Sequence, residues 1–302
     1  MKFLFSTDGH LSARKPIARK EKTDKEYIET QLRKRKQMYD YSVENGIMDL
    51  IDGGDFFNAW KPKELPALLI KYLELRNRYS FNDFVDIGNH DLKFHNLDFL
   101  NDSAIGILSE LKLITISEDW TFHTKEDNIK LNFFHFGQEL DKRELIEGTN
   151  IAIVHENIFE KQVPPYMTGY TVKELREVLP GYDLYLCGHN HQKFCVIDED
   201  FIVVNGGSVM RLNTKQKNFK PAFWEIEIIN GNVGVKEIPF DIEPDMISTE
   251  HLKKNKIESF VESTKEFEEL DGFDFRKDVE NAIKIKKPID KVKEEIYNSM
   301  EE

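Results

Sequence analysis

Residues 184–194 read LYLCGHNHQKF: a short apolar run, a glycine, then His189 and His191 one residue apart. Side chains at i and i+2 of an extended segment point the same way. The pair therefore reaches two neighbouring points in one pocket, and metal ions are its natural occupants. Cys187 and Cys195 flank the pair, so a small zinc knot is a rival reading that the rest of the chain has to decide.

Moving outward, the same pattern recurs. KFLFST (2–7) reads as a buried strand opening into Asp8-Gly9-His10, and IMDLIDGGD (47–55) as a strand closing on Asp55. DFVDIGNHD (83–91) ends in Asn89 and His90, KLNFFHFG (130–137) is a further strand, and TNIAIVHEN (149–157) ends at His155. Helices are predicted over about 26–45, with Ile28, Leu32 and Tyr39 on one side, over 64–79, over 97–110, and over 171–179. The last opens with a capping box, Thr171 with Glu174. FIVVNGGSVMR (201–211) follows the histidine pair, and 222–240 reads as a hairpin turning at Asn230-Gly231-Asn232. Strand and helix alternate, which makes the class α/β. From about Pro244 the texture changes to charged helical patterns, so the expected organisation is a domain over 1–244 and a helical region over 245–302. Amphipathic spacing at Ile257, Phe260, Val261 and Phe267 makes that region a candidate for docking a partner or capping DNA.

The bulk numbers are those of a globular chain: 302 residues, 40% hydrophobic, 32% charged. A net charge of −13 argues against a general coat for polyanions. Against that background the stretch from Leu11 to Lys36 carries ten Lys or Arg and four acidic residues. It is either a solvated helix face or a patch that tracks phosphates. Two cysteines give no disulfide framework. No apolar run approaches the roughly 18 residues of a membrane span, and the opening run is too short for a signal peptide, so a cytoplasmic location is expected.

Five strand ends thus finish in Asp, Asn or His, and the carboxyl ends of strands are where α/β sheets bind ligands. Imidazole, carboxylate and amide oxygen without thiolate suit Mn²⁺, Fe²⁺ or Zn²⁺ rather than a structural zinc site. Seven such side chains exceed one tetrahedral ion. They match two ions about 4 Å apart, a geometry that clamps both oxygens of a phosphoryl transfer. His95, His123, His135 and His251 lack this strand-end context and read as structural.

In order, DGH, GD, GNHD, an isolated histidine after an apolar strand, and GHNH resemble the motifs of the calcineurin-like metallophosphoesterases, over about residues 1–240. Within that superfamily the basic helix, GGSVMR (206–211) and the helical tail are most similar to the SbcD-type DNA repair nuclease, a subunit also found in bacteriophages. The resemblance implies a two-sheet sandwich flanked by helices with a small helical C-terminal appendage. It implies one metal held by Asp8, His10, Asp55 and His191, and a second by Asp55, Asn89, His155 and His189, with Asp55 bridging. His90 would act at the leaving oxygen, and Arg14, Lys15, Ser208 and Arg211 are candidate substrate contacts. The implied cofactors are two divalent ions, Mn²⁺ first, with Mg²⁺, Fe²⁺ or Zn²⁺ as alternatives. The implied substrate is DNA, cut by an exonuclease or endonuclease in repair, recombination or replication. An SMC-like ATPase is the implied partner, homodimerisation is expected, and the location is the host cytoplasm if the chain is phage-encoded. A phosphodiesterase or phosphatase acting on small nucleotides, RNA ends or phosphoprotein is the alternative. One departure stands out: nucleases of this type carry His or Asp three residues after the bridging aspartate, where this chain has Asn58.

Overall fold

The computed structural model describes residues 1–61, 65–125, 127–241 and 247–248. Its contacts divide the chain into two units, one of Met1–Pro16 with Glu21–Pro244, the other of Ile17–Lys20 with Asp245–Glu302. Every element named below belongs to the first. The expected helical region over 245–302 lies outside the described residues, apart from 247–248.

In chain order the elements are β1 (Lys2–Ser6), α1 (Asp24–Glu44), β2 (Asp49–Asp52), α2 (Leu65–Arg76), β3 (Asn82–Val85), α3 (Ala104–Glu110), β4 (Asp119–His123), β5 (Asn128–Phe134) and β6 (Thr149–Glu156). Then come β7 (Ile158–Phe159), β8 (Tyr170–Thr171), α4 (Val172–Val178), β9 (Leu184–His189), β10 (Phe194–Ile197), β11 (Ile202–Asn205), β12 (Ala222–Ile229) and β13 (Asn232–Pro239). They build a five-stranded sheet in the order β13-β12-β1-β2-β3 and a six-stranded sheet in the order β10-β11-β9-β6-β5-β4. The fold is the expected α/β sandwich of two sheets flanked by helices.

Strand periodicity explains the layers. Phe3 and Phe5 of β1 meet Ile151 and Ile153 of β6 and Leu184 and Leu186 of β9 in the cluster between the sheets. Their neighbours face outward: Leu4 packs with Tyr27, Met38 and Tyr39 of α1, while Ala152, Val154, Tyr185 and Cys187 pack with Leu175 of α4. A period of two with apolar residues on both faces is what a sheet covered on both sides requires.

Two parallel runs position the site. β1, β2 and β3 are parallel, with Ser6 opposite Asp52 and Asp52 opposite Val85. β6, β9 and β11 are parallel as well, with His155 opposite Gly188 and Cys187 opposite Asn205. Each run sends its carboxyl ends off one edge of its sheet.

Some expectations shift in detail. The helix expected over 97–110 is two elements: a 3₁₀ turn over Leu97–Asp102, then α3, separated at Ser103, whose side chain accepts from Gly106 N at 3.1 Å. A residue that caps one helix ends the element before it. The hairpin forms as expected, with Asn230 and Gly231 both at positive φ (49° and 76°), the type I′ geometry that matches strand twist. Edge strands β4 and β10 lacked a period clear enough to announce them. No helix among the described residues is long and apolar enough to cross a membrane.

Candidate metal centre

The loop after β1 zips onto the loop after β2. Asp8 N donates to Gly54 O, His10 N to Asp55 O and Leu11 N to Phe56 O, all at 2.8–2.9 Å. This pairing turns Asp8, His10 and Asp55 into the left-handed region, at φ 51°, 43° and 52°, and His189 joins them at 76°. Non-glycine residues there cost free energy and persist only where the surroundings over-determine them. Four at one site mark a place where side-chain direction outweighs local backbone preference. Gly88 is the counterpart, since a Cβ there would stand 2.1 Å from Asp55 Oδ1.

The donors converge in two groups, with a third, His10, Asp55 and His90, lying across them. Asp8, His10 and His191 bring ligand atoms within 4.8 Å of one another, as do Asp55, His155 and His189. Asp55 Oδ2 lies 3.5 Å from His10 Nε2 and 3.5 Å from His155 Nε2, so one carboxylate oxygen faces both groups. His10 Nε2 and His191 Nε2 are 2.9 Å apart, and Asp8 Oδ1 is 3.4 Å from the latter. His189 and His191 thus face one pocket but belong to different groups.

Two atoms test whether cations fit. His155 Nε2 and Asn89 Oδ1 are buried without a hydrogen-bond partner. His155 Nδ1 is 2.6 Å from Gly53 O; a carbonyl only accepts, so Nδ1 carries a proton and Nε2 is the nitrogen left to face the pocket. Buried polar atoms without a partner are costly, and divalent ions would satisfy both, the His155 Nε2 proton leaving as an ion takes its place. The residues fit the ions.

The electrostatics divide each group in the same way. Burial pushes His10 down to about 3 and His189 down to about 4. Burial also opposes the charged form of His155, but the Asp55 charge overrides it and lifts His155 to about 10. His191 is raised in like manner, with burial outweighed by the hydrogen bond and charge of Asp8. Burial raises both carboxyls, and the histidine charges more than reverse it, holding Asp8 and Asp55 below the usual range. The Asp55 group therefore pairs an ionised carboxylate with a protonated His155 and a neutral His189, and in the Asp8 group His191 is shifted towards its charged form while His10 is neutral.

His90 sits at the mouth, half-buried, its ring edge-on to His10 at 4.9 Å. Its backbone N donates to Asp55 Oδ1 at 2.8 Å, and its Nδ1 donates to Asn58 O at 2.8 Å. At the departing position it is thus the backbone of residue 58 that holds His90.

The other candidates separate. Arg14 is exposed and Lys15 half-buried, both on the loop leaving His10. Ser208 is fully buried, donating to Met210 O and accepting from Gln216 Nε2. Arg211 is 6% exposed and donates to Lys217 O. Lys34 and Arg35, read as part of a surface stripe, turn inward: Lys34 donates to Val209 O, and Arg35 pairs with Asp52 at 2.9 Å. Helix periodicity carries these two positions under the sheet edge. Cys187 packs in the outer layer and Cys195 against the inter-sheet cluster, and both are free. The zinc knot therefore does not form.

Sequence reasoning missed two supports. Asp91 is buried and accepts from Gly88 N, Phe56 N and Phe57 N at 2.9–3.3 Å, tying the second and third loops together. It was visible as the last letter of GNHD, without a reason. Phe136 lies over His189 and His155, with ring centroids at 5.4 and 6.2 Å, and nothing in the local sequence signals it.

A profile of the calcineurin-like phosphoesterase superfamily domain matches residues 32–228, well over half the chain. The chain belongs to the calcineurin-like phosphoesterase superfamily. The match begins after Asp8 and His10, which the loop pairing joins to the rest. As a member of this superfamily the chain is a metal-dependent phosphoester hydrolase. Among solved structures it is similar to an archaeal phosphodiesterase, with a TM-score of 0.40 and 14% identity over 79% of this chain and 100% of that one. It is also similar to a dimetal phosphatase from Danio rerio, with a TM-score of 0.48 and 9% identity over 80% and 97%. No curated protein sequence matches it.

Proposed function

We propose that this phosphoesterase is a DNA nuclease, cutting phosphodiester bonds as an SbcD-type subunit with an SMC-like ATPase. One observation carries the reading. In a chain of net charge −13, the loops bearing the first three ligand motifs each continue into basic residues: Arg14 and Lys15 after His10, Lys61 after Asp55, and Lys93 after His90. Arg14 and Lys61 are exposed. Cations that follow the ligand motifs of an acidic protein suit a polyanion longer than one phosphate.

In this reading Asp8, His10, Asp55 and His191 hold one divalent ion, and Asp55, Asn89, His155 and His189 the other, with Mn²⁺ as first choice. When bound, such ions supply Lewis acidity at phosphoryl oxygens and lower the pKa of water. The side chains do the remainder. Asp55 sets the spacing of the two groups, Gly53 O fixes the His155 tautomer, and Arg14 and Lys15 neutralise flanking phosphates. His90, with Nδ1 committed to Asn58 O, offers Nε2 to protonate the leaving 3′ or 5′ oxygen.

The test is digestion of end-labelled duplex and single-stranded DNA with Mn²⁺, beside bis(p-nitrophenyl) phosphate, with Asp55→Ala as control. Cleavage of DNA that Asp55→Ala abolishes is expected. Hydrolysis of the small ester with DNA left intact, with and without a cognate SMC-like ATPase, would overturn the reading. Sedimentation of the purified chain tests the homodimer.

A further inference from the structure

We propose that Trp60 and Phe94, with Lys61 and Lys93, form a stacking platform for an unpaired base beside the scissile phosphate, so that the strand is taken single-stranded or frayed. This rests on the nuclease reading above and adds a substrate form to it.

Both aromatic residues are anchored to the mouth of the pocket. Trp60 follows Asn58, whose carbonyl holds His90, by two residues, so their Cα atoms are at most about 7.6 Å apart. The Trp60 carbonyl accepts from Ala104 N, the first residue of α3, at 2.8 Å, which fixes the platform to a helix. Phe94 precedes His95, whose Nδ1 donates to Asn89 O at 2.7 Å. The two rings therefore hang from the residues on either side of the candidate leaving-group site.

Backbone and exposure at Phe94 point to use rather than packing. Phe94 and His95 are consecutive left-handed residues, at φ 55° and 52°, a rare state for a bulky side chain. The outcome is a residue 56% exposed, its ring touching Phe99 edge-on at 5.6 Å. Local strain that leaves an aromatic face in water is poorly explained by core formation.

The charges select the occupant. Lys93 Nζ stands 5.4 Å from the Trp60 ring centre and 4.8 Å from that of Phe94, and Lys61 Nζ 5.8 Å from Trp60. One ammonium within reach of both rings sets their centres no more than about 10 Å apart. Aromatic faces interleaved with lysines are what single strands require: the rings take bases of any sequence and the ammonium groups take the phosphates between them.

The test uses the full metal-loaded chain and two fluorescein-labelled phosphorothioate probes, an octathymidylate and an abasic strand of equal length, read by anisotropy. The thymidylate is expected to bind about tenfold more tightly, the effect of one stacked base. Trp60→Ala and Phe94→Ala should each bring it to the abasic value, and Trp60→Phe should retain the preference, with metal content by mass spectrometry showing that each variant is folded and loaded. Equal affinity for the two probes in the wild-type chain, or a preference that survives both alanine variants, would overturn the platform. A wild-type chain that prefers thymidylate through Trp60 yet cuts no DNA sustains the platform and removes the nuclease reading.

Discussion

Metal binding should expel protons in a pattern set by the two groups. In the metal-free protein Asp55 lifts His155 to about 10, so at pH 7 its imidazole is charged. Gly53 O occupies Nδ1, so the proton that an ion must displace is the one on Nε2, the nitrogen that faces Asp55. Removing it at pH 7 spans about three pH units, which costs about 4 kcal/mol, or about a thousandfold in apparent affinity. The sign follows: affinity for the Asp55–His155–His189 group should rise about tenfold per pH unit from 6 towards 9, flattening as His155 loses its proton. His189 and His10, pushed down to about 4 and about 3, are already neutral and add nothing to this slope. His191 is raised by Asp8 and contributes in the same direction to the other group. Calorimetric titration of Mn²⁺ into metal-free protein, in two buffers of different ionisation enthalpy, reads the protons directly. About one released from His155 is the expected result at pH 7, with His191 adding to it in the same direction. Release of less than half a proton, or affinity that is flat between pH 6 and 8, would refute the assignment of a charged His155.

Three further outcomes are expected. His90→Asn should lower kcat on DNA by about 10²–10⁴ and leave metal content unchanged by mass spectrometry, with a smaller loss on p-nitrophenyl esters, whose leaving group needs no proton. Gly88→Ala would push a methyl to within 2.1 Å of Asp55 Oδ1, and a metal titration should show affinity lowered about 10–100-fold. Arg35 lies against the Phe56 ring at 4.6 Å and pairs with buried Asp52; Arg35→Met should cost about 3–5 kcal/mol in denaturant unfolding, most of it recovered by adding Asp52→Leu.

The sequence by itself determined the α/β class, the strand exits and the candidate donor types, because strand periodicity and donor chemistry are local properties. Asp8, His10, Asp55, Asn89, His155, His189 and His191 could all be named from single segments, each as a polar residue just after an apolar run. The tertiary structure decided what each one meets. Parallel pairing of β1–β2–β3 and of β6–β9–β11 brings together exits from remote parts of the chain, and loop-to-loop bonds then force the left-handed turns that aim the side chains. The same burial turned Lys34, Arg35, Ser208 and Arg211 inward, although composition alone gives a basic or small polar residue no direction. Asp91 and Phe136 acquire their roles only from neighbours distant in sequence. Residue type states what a side chain can bind, and long-range packing, which no local pattern encodes, states what it faces.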